Sequence, residues 1–244
     1  ASTTPERAEP YADRLGNLVP GAGHLVHIPS HIYIRVGRHI DSIDANRKAA
    51  AADEGYLKQV DAEGIVPYSY YPHNVHFLMM SAQFAGDGET AIAAAEKLSA
   101  ILSQEFAMSV GWVEVILSAP YFAHAQFSDA STILNLPAPQ GNSALTKAMW
   151  HYARGIALAT QGNNQAALAE AEAIVDIKDS GMLDRLLEQY IPATSIVDIA
   201  QLIVLGRVAQ SSGDLDEAAA SFGAAVAVQD SMPYMEPPFW YYPI

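Results

Sequence analysis

The sequence predicts an all-α protein, a right-handed α-solenoid of helical hairpins running through residues 1–244 as one domain. Three observations predict it. Alanine is abundant and gathers in helical windows. Valine and isoleucine nowhere alternate with polar residues over a long run, as half-buried strands require. A glycine-centred pattern also recurs: Gly37, Gly86, Gly162 and Gly213 are each followed five residues later by Ser42, Ala91, Ala167 and Ala218. At offset nine stand Asn46, Ala95, Ala171 and Phe222, and at offset twelve Ala49, Leu98, Ile174 and Ala225. Repetition at such spacing marks stacked supersecondary units.

Taken in order, the chain opens with a helix from Pro5 to Leu18, the remains of an earlier repeat, ended by Pro20-Gly21. Five hairpins follow, at 23–60, 72–106, 109–136, 143–178 and 194–229. The third is a weaker copy centred on Ser128 and followed by Ile133; Ser128 lies 34 residues before Gly162. Insertions are expected at Asp61 to Pro72 and at Pro137 to Asn142. An extra helix is expected from Met182 to Tyr190, bounded by Ser180-Gly181 and Pro192. Seven residues before the last two turn glycines stand Gly155 and Gly206, small enough to let helices approach closely. The tail, 230–244, holds too many prolines for a helix and too many aromatics to be free, so it should pack on the last repeat or across the groove.

Composition excludes several functions. The formal charge is −14, and the thirteen Lys and Arg form no basic stripe, which argues against nucleic acid and favours solubility. Cysteine is absent, so disulfides, thiolate metal sites and thiol catalysis are excluded. No apolar run reaches the length of a membrane span. The sequence begins Ala1-Ser2-Thr3 without Met; if that reflects removal of a leader, the chain is extracytoplasmic. There is no Walker loop, GxGxxG, GxSxG or HExxH.

Five of the eight histidines lie in two short stretches, Gly23 to His31 and Tyr70 to His76. Spacings of three and four place His24, His27 and His31 on one helical face, and His73 and His76 likewise share one. Pro29 inside the first stretch must either kink the helix or begin it, and in the second case His24 and His27 would lie on a loop. Pro120 raises the same question in the third hairpin.

The chain resembles the tetratricopeptide repeat superfamily over most of its length. More narrowly, VPGAGHLVHIPSHIYIRVG (19–37), YYPHNVHFL (70–78), WHYARG (150–155) and EPPFWYYP (236–243) are similar to a group of bacterial tetratricopeptide proteins without assigned chemistry. Members of that group are usually longer at both ends, which implies a fragment of a larger protein. In the superfamily, positions 2, 5, 9, 12 and 13 of the first helix face the concave groove. The resemblance thus places His24, His27 and His31 at positions 2, 5 and 9, Ile34 and Arg35 at 12 and 13, and His73 and His76 at 2 and 5 of the next repeat.

Three readings follow. The five histidines His24, His27, His31, His73 and His76 form a transition-metal site, for which imidazole suits Zn, Cu, Ni or Fe, with Arg35, Tyr70, Tyr71 and Asn74 around it or on a substrate. Such a centre serves a protein that binds a small molecule or peptide in its groove, or a hydrolytic or oxidative metalloenzyme. Alternatively the groove is metal-free and takes an anionic or peptide ligand through pH-sensitive imidazoles, or the histidines bond the insertions in a structural scaffold. Elsewhere His151 reads as a hydrogen-bonded core histidine, Arg154 as an ion-pair partner of Glu236, and Phe77, Met79, Met80 and Phe84 as core. His39 and His124 are weaker site candidates, and Gly21-Ala22-Gly23 offers a possible anion seat at a helix start.

Overall fold

A computed structural model of the chain describes residues 2–60, 64 and 66–244. Among the described residues the regular structure is all helical, and it divides into two compact units, Ala1–Leu102 and Ser103–Ile244.

In unit 1, Pro5–Ala8 forms a 3₁₀ turn and α1 spans Glu9–Leu15, shorter than the helix expected to Leu18. Pro10 lies in the first turn of α1, where its missing N–H costs nothing. Helices α2 (Gly23–His27) and α3 (Ser30–Tyr33) follow, then α4 (His39–Leu57), α5 (Tyr71–Ala85) and α6 (Gly88–Ile101). The expected insertion from Asp61 to Pro72 lies partly outside the described residues. Its end, Val66–Tyr70, is a π-helical turn leading straight into α5. Helix α4 packs on α2, α3 and α5, and α5 packs on α6. Ile43, Val75, Phe77, Met79, Met80 and Leu98 fill the core. Two serines, Ser42 and Ser81, join α4 to α5 by a buried hydroxyl pair at 2.7 Å.

Unit 2 contains α7 (Gln104–Ser109), α8 (Gly111–Phe127), α9 (Ala130–Leu134), α10 (Ala144–Thr160), α11 (Asn164–Asp179), α12 (Asp184–Glu188), α13 (Ala193–Ser212) and α14 (Leu215–Ser231). Helix α10 is central, packing on α8, α9, α11 and α13. Helix α8 runs unbroken through Pro120. The extra helix expected over Met182–Tyr190 is only the short α12, ended where Tyr190 adopts a left-handed φ of 60°. Helix α13 has the length and mean hydropathy, 1.2, of a membrane span, contrary to the expectation that no segment would. Here it is a core helix, with Ile199, Ala200 and Val204 fully buried.

The turn glycines explain the pairing. Gly37, Gly86, Gly162 and Gly213 have φ of 79°, 75°, 75° and 84°, a region that only glycine enters without strain. After three of them, Asp87, Asn163 and Asp214 accept a backbone N–H three residues on and cap α6, α11 and α14. Ala91, Ala167 and Ala218 are then buried at the contacts between paired helices.

Gly155 lets α10 approach α13 closely, since a Cβ there would lie 2.8 and 2.9 Å from the methyl carbons of the fully buried Val204. Gly155→Ala gains about 1 kcal/mol of helix propensity but overpacks a rigid β-branched neighbour at about 1–3 kcal/mol. The expected outcome is a lower melting temperature; an unchanged or higher one would show that α10 and α13 can separate freely.

The tail is part of unit 2. Phe239, Trp240 and Tyr241 are 3 %, 1 % and 1 % exposed. Phe239 stacks on Trp112 at 5.4 Å, Trp240 packs edge-on against Phe122 and Tyr152, and Tyr241 meets Phe122 at 4.7 Å. Arg154 does not pair with Glu236 as expected. It donates instead to Glu170 on the adjacent α11 at 2.7 Å and lies over Trp150. His151 bonds the other oxygen of Glu170 at 2.6 Å.

Candidate metal centre

The backbone around Pro29 settles how the first histidine stretch is presented. Ile28 and Pro29 keep helical dihedrals (φ −47°, ψ −39° and φ −53°, ψ −30°), so the path stays helical while the hydrogen-bond ladder breaks between α2 and α3. His24 and His27 therefore lie on a helix, and His27 and His31 remain one turn apart on one face. His73 comes from the first turn of α5, whose start is set by Pro72.

Three imidazoles converge. His27 Nε2 lies 2.9 Å from His31 Nε2 and 3.1 Å from His73 Nε2, and one nitrogen from each ring falls within 4.8 Å of the others. A tetrahedral ion at about 2.0–2.1 Å from each nitrogen would space them about 3.3 Å apart. All three rings rest on Phe77, with centroid distances of 4.6, 4.5 and 4.9 Å. Phe77 is fully buried and forms an apolar floor, while His31 and His73 are half-buried and open the other side to solvent.

The tautomer of His27 follows from its neighbours. Asn46 donates from Nδ2 to the Ser42 carbonyl at 2.8 Å, which leaves Oδ1 as its acceptor, 2.6 Å from His27 Nδ1. Ser30 Oγ is 3.1 Å from the same nitrogen. Nδ1 thus carries the proton and Nε2 carries a lone pair aimed at His31 and His73. One lone pair cannot accept well from two N–H groups at once, whereas a cation would accept a lone pair from all three rings. Burial, and then the neighbouring imidazole of His73, push His27 well below the ordinary imidazole range, so it is neutral and ready to ligate.

The other expected residues are distributed as follows. His24 stacks face to face on Tyr70 at 4.0 Å, with its ring 5.5 Å from His27 and 6.1 Å from His73, beside the cluster. Its buried Nδ1 has no hydrogen-bond partner among the described residues. His76 is turned into the core at 2 % exposure and is not in the convergent group. Tyr71 donates to Glu54 at 2.9 Å, and Asn74 donates to Asp53 at 2.7 Å. Arg35 is directed to the N-terminal segment, where it donates to the Ser2 carbonyl. Of the four expected accessory residues, Tyr70 borders the cluster through its stack on His24. At Gly23 the Asp53 carboxyl group occupies the place a Cβ would take, so a group of the chain itself crowds the start of α2. His124 bonds Ser128 at 2.9 Å and His39 stacks on Phe84, both away from the cluster.

Sequence reasoning passed over Asn46, Ser30 and the floor role of Phe77. A signal for Asn46 existed: it stands at the repeat offset where the other hairpins carry Ala95, Ala171 and Phe222. A polar residue at a core position implies a buried partner. Asn46→Ala should weaken metal binding by about 10–100-fold, the usual loss when a ligand's outer partner is removed. Asn46→Asp, which keeps the acceptor, should retain binding. Equal affinity in wild type and Asn46→Ala would deny Asn46 that role.

Burial lowers His76 to about 3. A folded pKa below the unfolded value near 6.5 means that its contribution is complete above about pH 6.5 and is lost as pH falls toward about 3. Burial raises Asp53 and Glu114, which act in the opposite sense. Metal-free protein should therefore melt lower at pH 5 than at pH 7, and His76→Gln should show a smaller drop than wild type. An equal drop in both would place the acid sensitivity elsewhere.

No family model, curated protein or solved structure matches the chain.

Proposed function

We propose that this protein binds one first-row transition-metal ion, Zn, Cu or Fe, through Nε2 of His27, His31 and His73, and uses it to hold a small molecule or peptide. The observation that carries this reading is the convergence of the three nitrogens, with His27 held in the ligating tautomer by Asn46. An all-imidazole donor set suits these metals and not Ca or Mg, which need oxygen ligands. In this reading the hairpins stack as a tetratricopeptide-type right-handed solenoid with the metal in its groove. Support comes from the repeated glycine turns and from side-by-side packing of successive first helices such as α10 and α13. The motifs resembling the bacterial tetratricopeptide group hold every residue of the triad.

One observation favours a second reading, a metal-dependent hydrolytic or oxidative enzyme. Three ligands with a solvent-facing side leave a coordination position for water or substrate. A bound ion there would activate water or polarise a substrate oxygen. In both readings Phe77 excludes water beneath the ligands, and the His24–Tyr70 stack borders the entry.

The test is metal analysis of protein purified without a nickel column, followed by titration after chelation. One equivalent of Zn or Cu per chain, restored stoichiometrically, is expected. No metal above trace and no stoichiometric uptake would overturn the proposal and leave a metal-free groove.

A further inference from the structure

Unit 2 contains a pocket of about 330 Å³ unrelated to the histidine cluster. Ile156 on α10, Ile203 on α13 and Phe222 on α14 give it apolar walls. Its polar side chains are Tyr152, Tyr242, Gln126 and Arg207, with no Asp or Glu side chain, and Pro243 and Ile244 complete the wall. That volume is at the lower end of the about 300–1,000 Å³ of small-molecule sites, and a few convergent polar groups on an apolar wall are their usual form.

Two features of these groups call for an acceptor. The hydroxyls of Tyr152 and Tyr242 lie 2.7 Å apart and share one hydrogen bond. Two hydroxyls carry two protons, so one O–H donor is left over at the pocket wall without a protein partner among the described residues. Tyr152 is 2 % exposed and Tyr242 is half-buried, so the pair is partly withdrawn from bulk water, where an unmade hydrogen bond is costly. Arg207 is the second feature. Its Nη1 donates to the neutral Gln210 at 3.0 Å and its guanidinium lies over the Phe222 ring at 5.6 Å. No carboxylate pairs with it among the described residues, although acidic residues outnumber basic ones 27 to 13 in the chain. Its charge acts on both tyrosines, opposing the rise that burial gives their hydroxyls.

We propose that this pocket binds a small organic monocarboxylate, its carboxylate bridging Arg207 and the tyrosine pair and its apolar body lying against Ile156, Ile203 and Phe222. A carboxylate supplies acceptor oxygens for both donors, and a guanidinium–carboxylate pair is strengthened beside an apolar wall. A neutral or cationic ligand of the same shape lacks that complement.

The experiment is calorimetric titration of the full chain in a chelator, with phenylacetate and hexanoate as probes and hexanol and hexylamine as controls. Saturable one-to-one binding of a carboxylate is expected, at least about tenfold tighter than either control. Arg207→Gln, a change at an exposed side chain, should weaken it by at least about tenfold with an unchanged melting temperature. Tyr242→Phe should weaken it as well. The proposal is overturned if neither carboxylate saturates by about 10 mM, above the about 1 mM range of weak specific sites. It is also overturned if hexanol binds as tightly as hexanoate, or if Arg207→Gln binds like wild type. Because the metal is chelated throughout, failure here leaves the metal reading standing, and loss of metal binding leaves this one standing.

Discussion

Replacing His31 or His73 with alanine is expected to lower zinc affinity by more than about a hundredfold, beyond the about 10–100-fold that loss of an outer-shell partner costs. Each residue supplies one of three converging nitrogens, and nothing else in the group can take its place at ligation distance. Both side chains are half-buried at the open edge of the site, so truncation leaves no sealed cavity and the helical circular-dichroism signal should persist. His27→Ala is a poorer probe, because His27 is fully buried and its loss would orphan Asn46 Oδ1. The measurement is competition against a chromophoric chelator. Affinities within about threefold of wild type for both variants, less than the loss of even an outer-shell partner, would mean that the cluster is a hydrogen-bonded patch and not a ligand set.

Deleting residues 233–244 should abolish the cooperative melting of unit 2. The deletion removes three aromatic side chains that are at most 3 % exposed, and it uncovers Phe122, Trp112 and Tyr152. Truncating one buried Phe or Trp typically costs about 3–5 kcal/mol, and a whole domain is stable by only about 5–15 kcal/mol. Trp240→Ala alone should therefore lower unit 2 by about 3–5 kcal/mol and still leave it foldable. Calorimetry on both variants reads this directly. A truncated chain that melts as the full chain does would mean that the tail covers the unit without being part of its core.

The helices were legible because their punctuation is local. A glycine at φ near +80° followed by Asp or Asn is fixed by backbone sterics and capping within four residues, as at Gly86-Asp87 and Gly213-Asp214. The histidine cluster was legible only as a face. Residues three apart on a helix differ by about 60° in direction, enough to put His73 at the rim and His76 in the core. Periodicity does not resolve that difference; burial does. Tyr71 and Asn74 could not be placed from sequence because their partners, Glu54 and Asp53, arrive from α4. Pro29 threatens the helical face in sequence terms, but it breaks hydrogen bonds and not the helical path. Arg35 fails for a related reason: its helical position suits a groove, yet the N-terminal segment claims its guanidinium.

X-ray absorption at the metal edge of zinc- or copper-loaded protein tests the central claim most directly. The account predicts an inner shell of nitrogen and oxygen at about 2.0–2.1 Å, with the outer-shell scattering of three imidazoles. His73→Ala should reduce that scattering by one ring. An inner shell made only of oxygen, or imidazole scattering unchanged in His27, His31 and His73 variants alike, would contradict it.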